Sequence, residues 1–244
     1  MTKKRQVARR QSRKYTRRQM GFILVIFFIL MLGYVLSSTD DTTATASAED
    51  TPANELNPEQ DIIRLREKYN NDDIIGYLRI DGTTIDYPVV QTVNNRHYLD
   101  YNIKNEFDLA GWIFLDFENE ISGSDRNFII YGRSMQYNHR FHMLHYYKDY
   151  NFFREHSIVR FDTIYGEHEW EVFSFFRAHI NFPYIEIFDE NTEYWRWMLS
   201  QMKEKSIHDT NVHVHGDDRV LLLSTGTEDR DPNYRYVLGA RRID

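Results

Sequence analysis

Histidines that could bind a metal ion or transfer protons occur in two groups along the chain. The first is His139, His142 and His145, whose three-residue spacing spreads them over about 120° of a helix. The second is His-Val-His at 213–215, whose two histidines would share one face of a strand, with aspartates at 217–218. Imidazole and carboxylate groups are common zinc ligands. A divalent metal site is one interpretation, although exposed or packed histidines are the commoner one.

Cysteine chemistry is excluded, because the 244-residue chain contains no cysteine. It therefore has no disulfide, no thiolate metal site and no cysteine nucleophile. A domain of this length needs no disulfide to fold, so the composition fits either side of a membrane. Aromatic residues make up 15% of the chain, which favours a β-rich globular domain over a disordered one.

Charge is distributed unevenly along the chain. Nine of the 30 Lys and Arg residues lie in the first 20 positions, which contain no Asp or Glu. The rest of the chain has 21 basic and 37 acidic residues, a net charge of −16. Such an acidic remainder is a poor partner for nucleic acid, whose phosphates need Lys and Arg. The basic segment precedes an apolar one, which favours contact with anionic lipid on the cytoplasmic side.

The apolar segment at 20–36 has no charged residue and would span about 25 Å as a helix. A cleaved signal peptide is the alternative, but its apolar core is normally ~7–15 residues long. The small residues at 46–48 lie too far beyond this segment to suit cleavage. We therefore predict a basic cytoplasmic tail at 1–19 and a transmembrane helix at 20–36, with the C-terminal domain outside the cell membrane.

The predicted extracellular part begins with a flexible linker at 37–56, which is rich in Ser, Thr, Ala and Asp. One domain is predicted at 57–244. It starts with a helix from 58 to 70, because Asn57 can cap that helix and Pro58 suits its first position.

The rest of the domain is predicted to be mainly β with inserted helices. Short β-rich runs alternate with turn signals such as Asp81-Gly82, a pattern typical of a closed or nearly closed β-barrel. Helices are predicted at 141–147 and 193–203. The predicted strands are 75–80, 84–91, 111–116, 127–131, 157–162, 169–177, 220–224 and 234–240.

Six sequence blocks, taken in order, resemble class B sortases, which are membrane-anchored cysteine transpeptidases of Gram-positive bacteria. The resemblance covers residues 65–243 and implies a sortase-like closed β-barrel. The blocks are DIIGYLRIDGTTIDYPVVQ at 73–91, Tyr98-Leu99, GWIFLD at 111–116, NFIIYGRSM at 127–135, LLLSTGT at 221–227 and the strand YRYVLGARRI that contains Arg235.

The resemblance implies three catalytic groups. In the family a thiolate attacks a carbonyl of the sorting signal, a histidine protonates the leaving amine, and an arginine binds the developing oxyanion. Carried onto this chain, the cysteine position is Gly226 and the histidine position is Arg133. Only the arginine, Arg235, matches the family.

These two replacements remove the family's chemistry. Gly226 has no side chain that could form an acyl-enzyme, and Arg133 remains protonated and cannot cycle a proton. Ser224 would point the same way as residue 226 but lie about 6–7 Å back along the strand. We predict that Ser224 and Thr225 contribute to substrate binding. A rescue would need both a new nucleophile and a new base, for which His139 is a candidate.

Arg133 and Arg235 are expected to face each other across the site, where two unpaired cations would repel. Either a carboxylate lies between them, with Glu228 or Asp229 as candidates, or an anion binds. The sequence therefore predicts a groove that accepts anions.

We expect a catalytically inactive, membrane-anchored sortase-like protein without a cofactor or bound metal. Its predicted partners are a sorting-signal peptide, a pilin-like subunit or an active sortase, in surface-protein assembly. One alternative is an active transpeptidase or hydrolase that uses non-standard residues. The other is a metal-binding surface module.

Overall fold

The structure is a computed structural model that describes residues 57–122, 125–135 and 139–243. The predicted tail at 1–19, transmembrane helix at 20–36 and linker at 37–56 lie outside these residues. Within the described ranges, no helix is both long enough and apolar enough to cross a bilayer.

The first helix, α1, begins at Pro58, as predicted. The Asn57 side chain accepts a hydrogen bond from the Glu59 backbone N–H, and Asn70 ends the helix in the left-handed conformation. The helices are α1 (Pro58–Tyr69), α2 (His97–Asp100), a 3₁₀ helix (Phe141–Lys148), α3 (Tyr150–Glu155) and α4 (Glu193–Glu204).

Eight strands form a closed barrel in the order β1-β2-β3-β4-β9-β10-β8-β7, which β7 closes by pairing with β1. The closed, mainly β architecture was predicted. Strands β5 and β6 form a separate two-stranded sheet. The strands are β1 (Ile74–Arg79), β2 (Asp86–Val90), β3 (Phe114–Leu115), β4 (Asn127–Tyr131), β5 (Ser134–Met135), β6 (His139–Arg140), β7 (Ile158–Thr163), β8 (Glu169–His179), β9 (Val220–Gly226) and β10 (Tyr234–Arg242).

Strand β9 has apolar side chains on both faces, as expected for a strand in the middle of a covered sheet. Leu221 and Leu223 join the cluster inside the barrel, whereas Val220 and Leu222 pack with the buried side of α4. β9 pairs in parallel with β4 and antiparallel with β10. This anchoring holds the C-terminal end of β9 in a defined position.

Two predicted strands differ from the structure. Of the predicted strand 111–116, only Phe114–Leu115 pairs, because Gly111 has a positive φ of 60° and the Trp112 N–H bonds to the Tyr98 carbonyl. The His-Val-His segment at 213–215 is irregular rather than a strand. Strand β9, by contrast, extends two residues beyond its predicted end, to Gly226.

Candidate functional site

The ends of three neighbouring strands meet at a cavity of about 790 Å³. The register places Ser224 of β9 beside Tyr131 of β4, and Gly226 beside Arg235 of β10. All four residues, together with Arg133, line the cavity. We call this cavity the groove.

Gly226 opens onto free space in the groove. A Cβ atom added to its backbone would meet nothing within 4 Å. Its carbonyl oxygen accepts a hydrogen bond from Nε2 of the buried His145 at 2.9 Å. The backbone of residue 226 is thus held by the barrel, while the volume that a side chain would occupy is open.

Arg133 follows β4 and is held by the end of α2. Its Nε donates to the Leu99 carbonyl, and its Nη2 lies 2.9 Å from Asp100 Oδ1. The prediction of Glu228 or Asp229 as its carboxylate partner was therefore wrong.

The two predicted carboxylates bind other cations instead. Glu228 pairs with Lys148, and this hydrogen bond keeps the pKa of Glu228 below its usual value. Asp229 Oδ2 lies 2.8 Å from Nη2 of Arg177. Both carboxylates thus have partners other than Arg133, whose own partner, Asp100, lies 33 positions before it in the sequence.

Arg235 is held by its own loop. Its Nη1 donates to the carbonyl oxygens of Pro232 at 3.0 Å and Tyr234 at 2.7 Å. Both acceptors are neutral, so the charge of Arg235 has no carboxylate partner among the residues that the structure describes. The structure therefore brings Arg133 and Arg235 to one cavity and neutralises only the first.

Ser224 is buried, and its Oγ lies 2.9 Å from the hydroxyl of Tyr184. Burial raises the pKa of Tyr184, so this phenol stays protonated at neutral pH and cannot act as a base there. Thr225 is also buried, and its hydroxyl has no hydrogen-bond partner in the described part of the chain. Both residues border the groove, but neither presents an activated nucleophile.

The first histidine group does not form one helical face. His139 is exposed in strand β6, while His142 and His145 belong to the 3₁₀ helix, with ring centroids 5.2 Å apart. Desolvation lowers the pKa of His145, so it is neutral at pH 7. The predicted helical arrangement of the three histidines was wrong for His139.

The second histidine group also lacks a metal-ligand arrangement. Residues 213–215 border a separate cavity of about 330 Å³ together with Arg196 and Lys203, whose charges disfavour a cation. Across the described ranges, no three His, Asp or Glu side chains are grouped so that they could hold a metal ion.

Five groove residues lie outside the sequence blocks that carry the resemblance. Tyr184, Arg230, Asp231 and Pro232 reach the groove from loops, and Leu109 from the segment before β3. The Asp-Pro pair at 231–232 is a turn signal, but nothing in its spacing indicates which cavity the loop borders.

Comparison with known proteins gives a consistent family. No family model matches the chain. It is 32% identical over 212 residues to sortase B of Staphylococcus aureus, covering 83% of this chain and 86% of that protein. It is 35% identical over 193 residues to sortase B of Listeria monocytogenes, covering 79% and 78% respectively.

Solved structures agree with these relatives. The fold matches a Staphylococcus aureus sortase B–substrate complex with a TM-score of 0.66 and 30% identity, over 76% of this chain and 93% of that chain. It matches sortase B from Bacillus anthracis in complex with AAEK1 with a TM-score of 0.67 and 34% identity, over 74% and 83%. With identities of 30–35% over most of both chains, the protein belongs to the sortase B family.

Proposed function

We propose that this chain is a non-catalytic member of the sortase B family that binds sorting-signal peptides at the outer surface of the cell membrane. It would act as a scaffold or regulator in surface-protein assembly, with a pilin-like subunit or an active sortase as its protein partner. The observation that carries this proposal is the open groove at Gly226, a site with room for a ligand and no side chain to attack it.

The support for lost catalysis is chemical. A cysteine transpeptidase needs a thiolate, and this chain has no cysteine at any position. The group proposed to replace the family histidine, Arg133, is permanently charged and already paired with Asp100. The alternative of an unusual nucleophile finds little support, since the Ser224 hydroxyl is buried against Tyr184.

The support for retained binding is the shape and lining of the groove. Leu99, Leu109 and Tyr131 offer apolar surface, while Ser134 and Arg235 offer hydrogen-bond donors. A cavity of about 790 Å³ is large enough for several residues of an extended peptide. A sortase B of the same fold has been solved with its substrate, which supports a peptide as the ligand here.

The test is a calorimetric titration of the full-length chain in mild detergent with sorting-signal peptides, with the same samples analysed by mass spectrometry. We expect saturable binding and intact peptide. Product release that the Ser224→Ala variant abolishes would contradict the loss of catalysis. The absence of both binding heat and cleavage product would contradict peptide binding.

The proposed anchor rests on the uncharged segment at 20–36 and its basic flank. A protease added to intact cells should digest the domain at 57–244 and leave the tail at 1–19 protected. Protection of the domain would contradict the outward orientation.

A further inference from the structure

The groove is cationic, although the chain around it is acidic. Of the described residues that line it, Arg133, Arg230 and Arg235 are basic and Asp231 is acidic. The chain beyond its first 20 residues has a net charge of −16. Concentrating three arginines at one cavity of such a chain creates a local field that attracts anions.

The acidic groups near the groove leave this charge incompletely neutralised. Asp100 pairs with Arg133 at 2.9 Å, and Asp231 lies 3.7 Å from Arg177, which is outside the groove lining. Within the described residues, Arg230 and Arg235 have no carboxylate partner. Among the described residues, the three groove arginines thus have one carboxylate partner between them.

The arginines also have unused hydrogen-bond donors. In the described part of the chain, Nη1 of Arg133 and both Nε and Nη2 of Arg235 have no protein acceptor. Guanidinium groups with free N–H donors match the paired oxygens of a carboxylate, and such charge-assisted hydrogen bonds are stronger than those to a neutral carbonyl.

Gly226 provides the space for those oxygens. Because a Cβ at this position would have no neighbour within 4 Å, a ligand group can lie directly over this backbone, in the cavity that Arg133 and Arg235 also line. The peptide carbonyl of an uncleaved signal would bring one neutral oxygen to this place. A peptide that ends here would bring two oxygens and a negative charge.

We infer that the groove is specific for peptides with a free C-terminal α-carboxylate, which lies over Gly226 and is bound by Arg133 and Arg235. The apolar wall of Leu99 and Leu109 then contacts the preceding side chains. This inference rests on the proposed peptide-binding function and names its ligand class. The ligand is a chain that has already been cut, rather than one awaiting cleavage.

The experiment compares three hexapeptide libraries of otherwise identical composition on the full-length chain in mild detergent. The first ends in free α-carboxylates, the second in amides, and the third in amidated aspartate. Binding is measured by native mass spectrometry and by the rise in melting temperature. We expect the free-carboxylate library to bind about tenfold more tightly, or better, than either amidated library.

Two arginine variants separate recognition from general charge. Arg133→Met should reduce the ratio of carboxylate-library binding to amide-library binding, because it removes one of the two proposed carboxylate contacts. Arg64→Met is the matched control, because Arg64 is also an exposed arginine that lies 2.9 Å from an aspartate, Asp61, but on α1. This control should keep the full preference.

Each outcome decides a separate point. Equal binding of the carboxylate and amide libraries would overturn the inference and leave the proposed peptide binding standing. Tight binding of the amidated aspartate library would show that the groove recognises side-chain carboxylates, and would overturn the proposed specificity for the α-carboxylate. Binding of no library would overturn both the inference and the proposed function.

Discussion

The two halves of strand β9 differ in what they do. Its first half, Val220 to Leu223, is buried and apolar, and contributes to the interior cluster and to the layer under α4. Its second half, Ser224 to Gly226, borders the groove and ends in a residue without a side chain. The barrel holds both halves in one register with β10. One strand therefore combines a half fixed by packing with a half that borders an open cavity.

The largest expected effect comes from introducing the family's catalytic residue types at the groove. If Gly226 and Arg133 occupy the cysteine and histidine positions, the double variant Gly226→Cys/Arg133→His should cleave a sorting-signal peptide. The single variant Gly226→Cys should be about 10²- to 10⁴-fold slower, because it lacks the general acid. Mass spectrometry would detect the acyl-enzyme and the product.

In the single variant, reaction of the only thiol with a maleimide reagent would show that the thiol is accessible, and an unchanged melting temperature would serve as the folding control. Equal activity of the single and double variants would show that Arg133 does not occupy the position of the acid. If neither variant cleaves the peptide although the thiol is reactive, the proposal that Gly226 occupies the family's cysteine position would be wrong.

The second effect measures the packing difference directly. Leu222→Ala should lower the free energy of unfolding by about 2–5 kcal/mol, because it leaves a cavity in a fully buried cluster. Gly226→Ala should change it by no more than about 1 kcal/mol, because the added methyl group has open space. Urea denaturation of the two variants gives the comparison, and similar losses would show that the two halves do not differ in packing.

The third effect is a pH dependence of stability caused by His145. Burial lowers the pKa of His145 in the folded chain, whereas in the unfolded chain its pKa is about 6.5. As the pH falls below 6.5, the unfolded chain therefore binds a proton that the folded chain does not. Its contribution to stability is complete above pH 6.5 and is lost as the pH falls towards the folded pKa. His145→Asn should flatten the fall in melting temperature between about pH 7 and pH 5.

The control for this prediction is His213→Asn, which replaces an exposed histidine in a loop. It should leave the wild-type slope unchanged. An equal slope for His145→Asn and the wild type would show that the buried histidine is not the group responsible.

The smallest effect concerns the exposed pair Arg133–Asp100. Asp100→Asn should change the free energy of unfolding by at most about 1 kcal/mol, because exposed ion pairs contribute little.

The same variant removes a carboxylate that competes for Arg133, so it should strengthen binding of a carboxylate-ended peptide. Asp61→Asn, at the equivalent pair on α1, should affect neither binding nor stability by more than this. Weaker peptide binding in Asp100→Asn would mean that Asp100 positions Arg133 for the ligand.

Local signals explain which elements could be predicted from the sequence. Asn57-Pro58 located the start of α1, and Asp81-Gly82 located the first hairpin, where Gly82 adopts a φ of 76°. These features depend on neighbouring residues alone. The segment 111–116 was predicted too long as a strand, because its pairing depends on a carbonyl of α2 that no local pattern reveals.

In the site, too, contacts between residues far apart in the sequence could not be predicted. The family resemblance assigned Gly226 and Arg235 to one site, and in the structure the register of β9 and β10 places them side by side. The partner of Arg133 was not predictable, because Asp100 is 33 positions away and reaches it only after α2 packs beside the end of β4. Tyr184 was missed for the same reason, since it reaches Ser224 from 40 positions away.

The barrel order also has a consequence for the timing of folding. Strands β9 and β10 are the last two in the sequence, yet they lie between β4 and β8 in the middle of the sheet. Until β9 and β10 have been synthesised, the earlier strands cannot form a continuous sheet or a complete hydrophobic core. Non-local pairings of this kind form late and slowly. We therefore expect the groove to arise in the same step that completes the barrel, so that a chain released early would have no partly formed binding site.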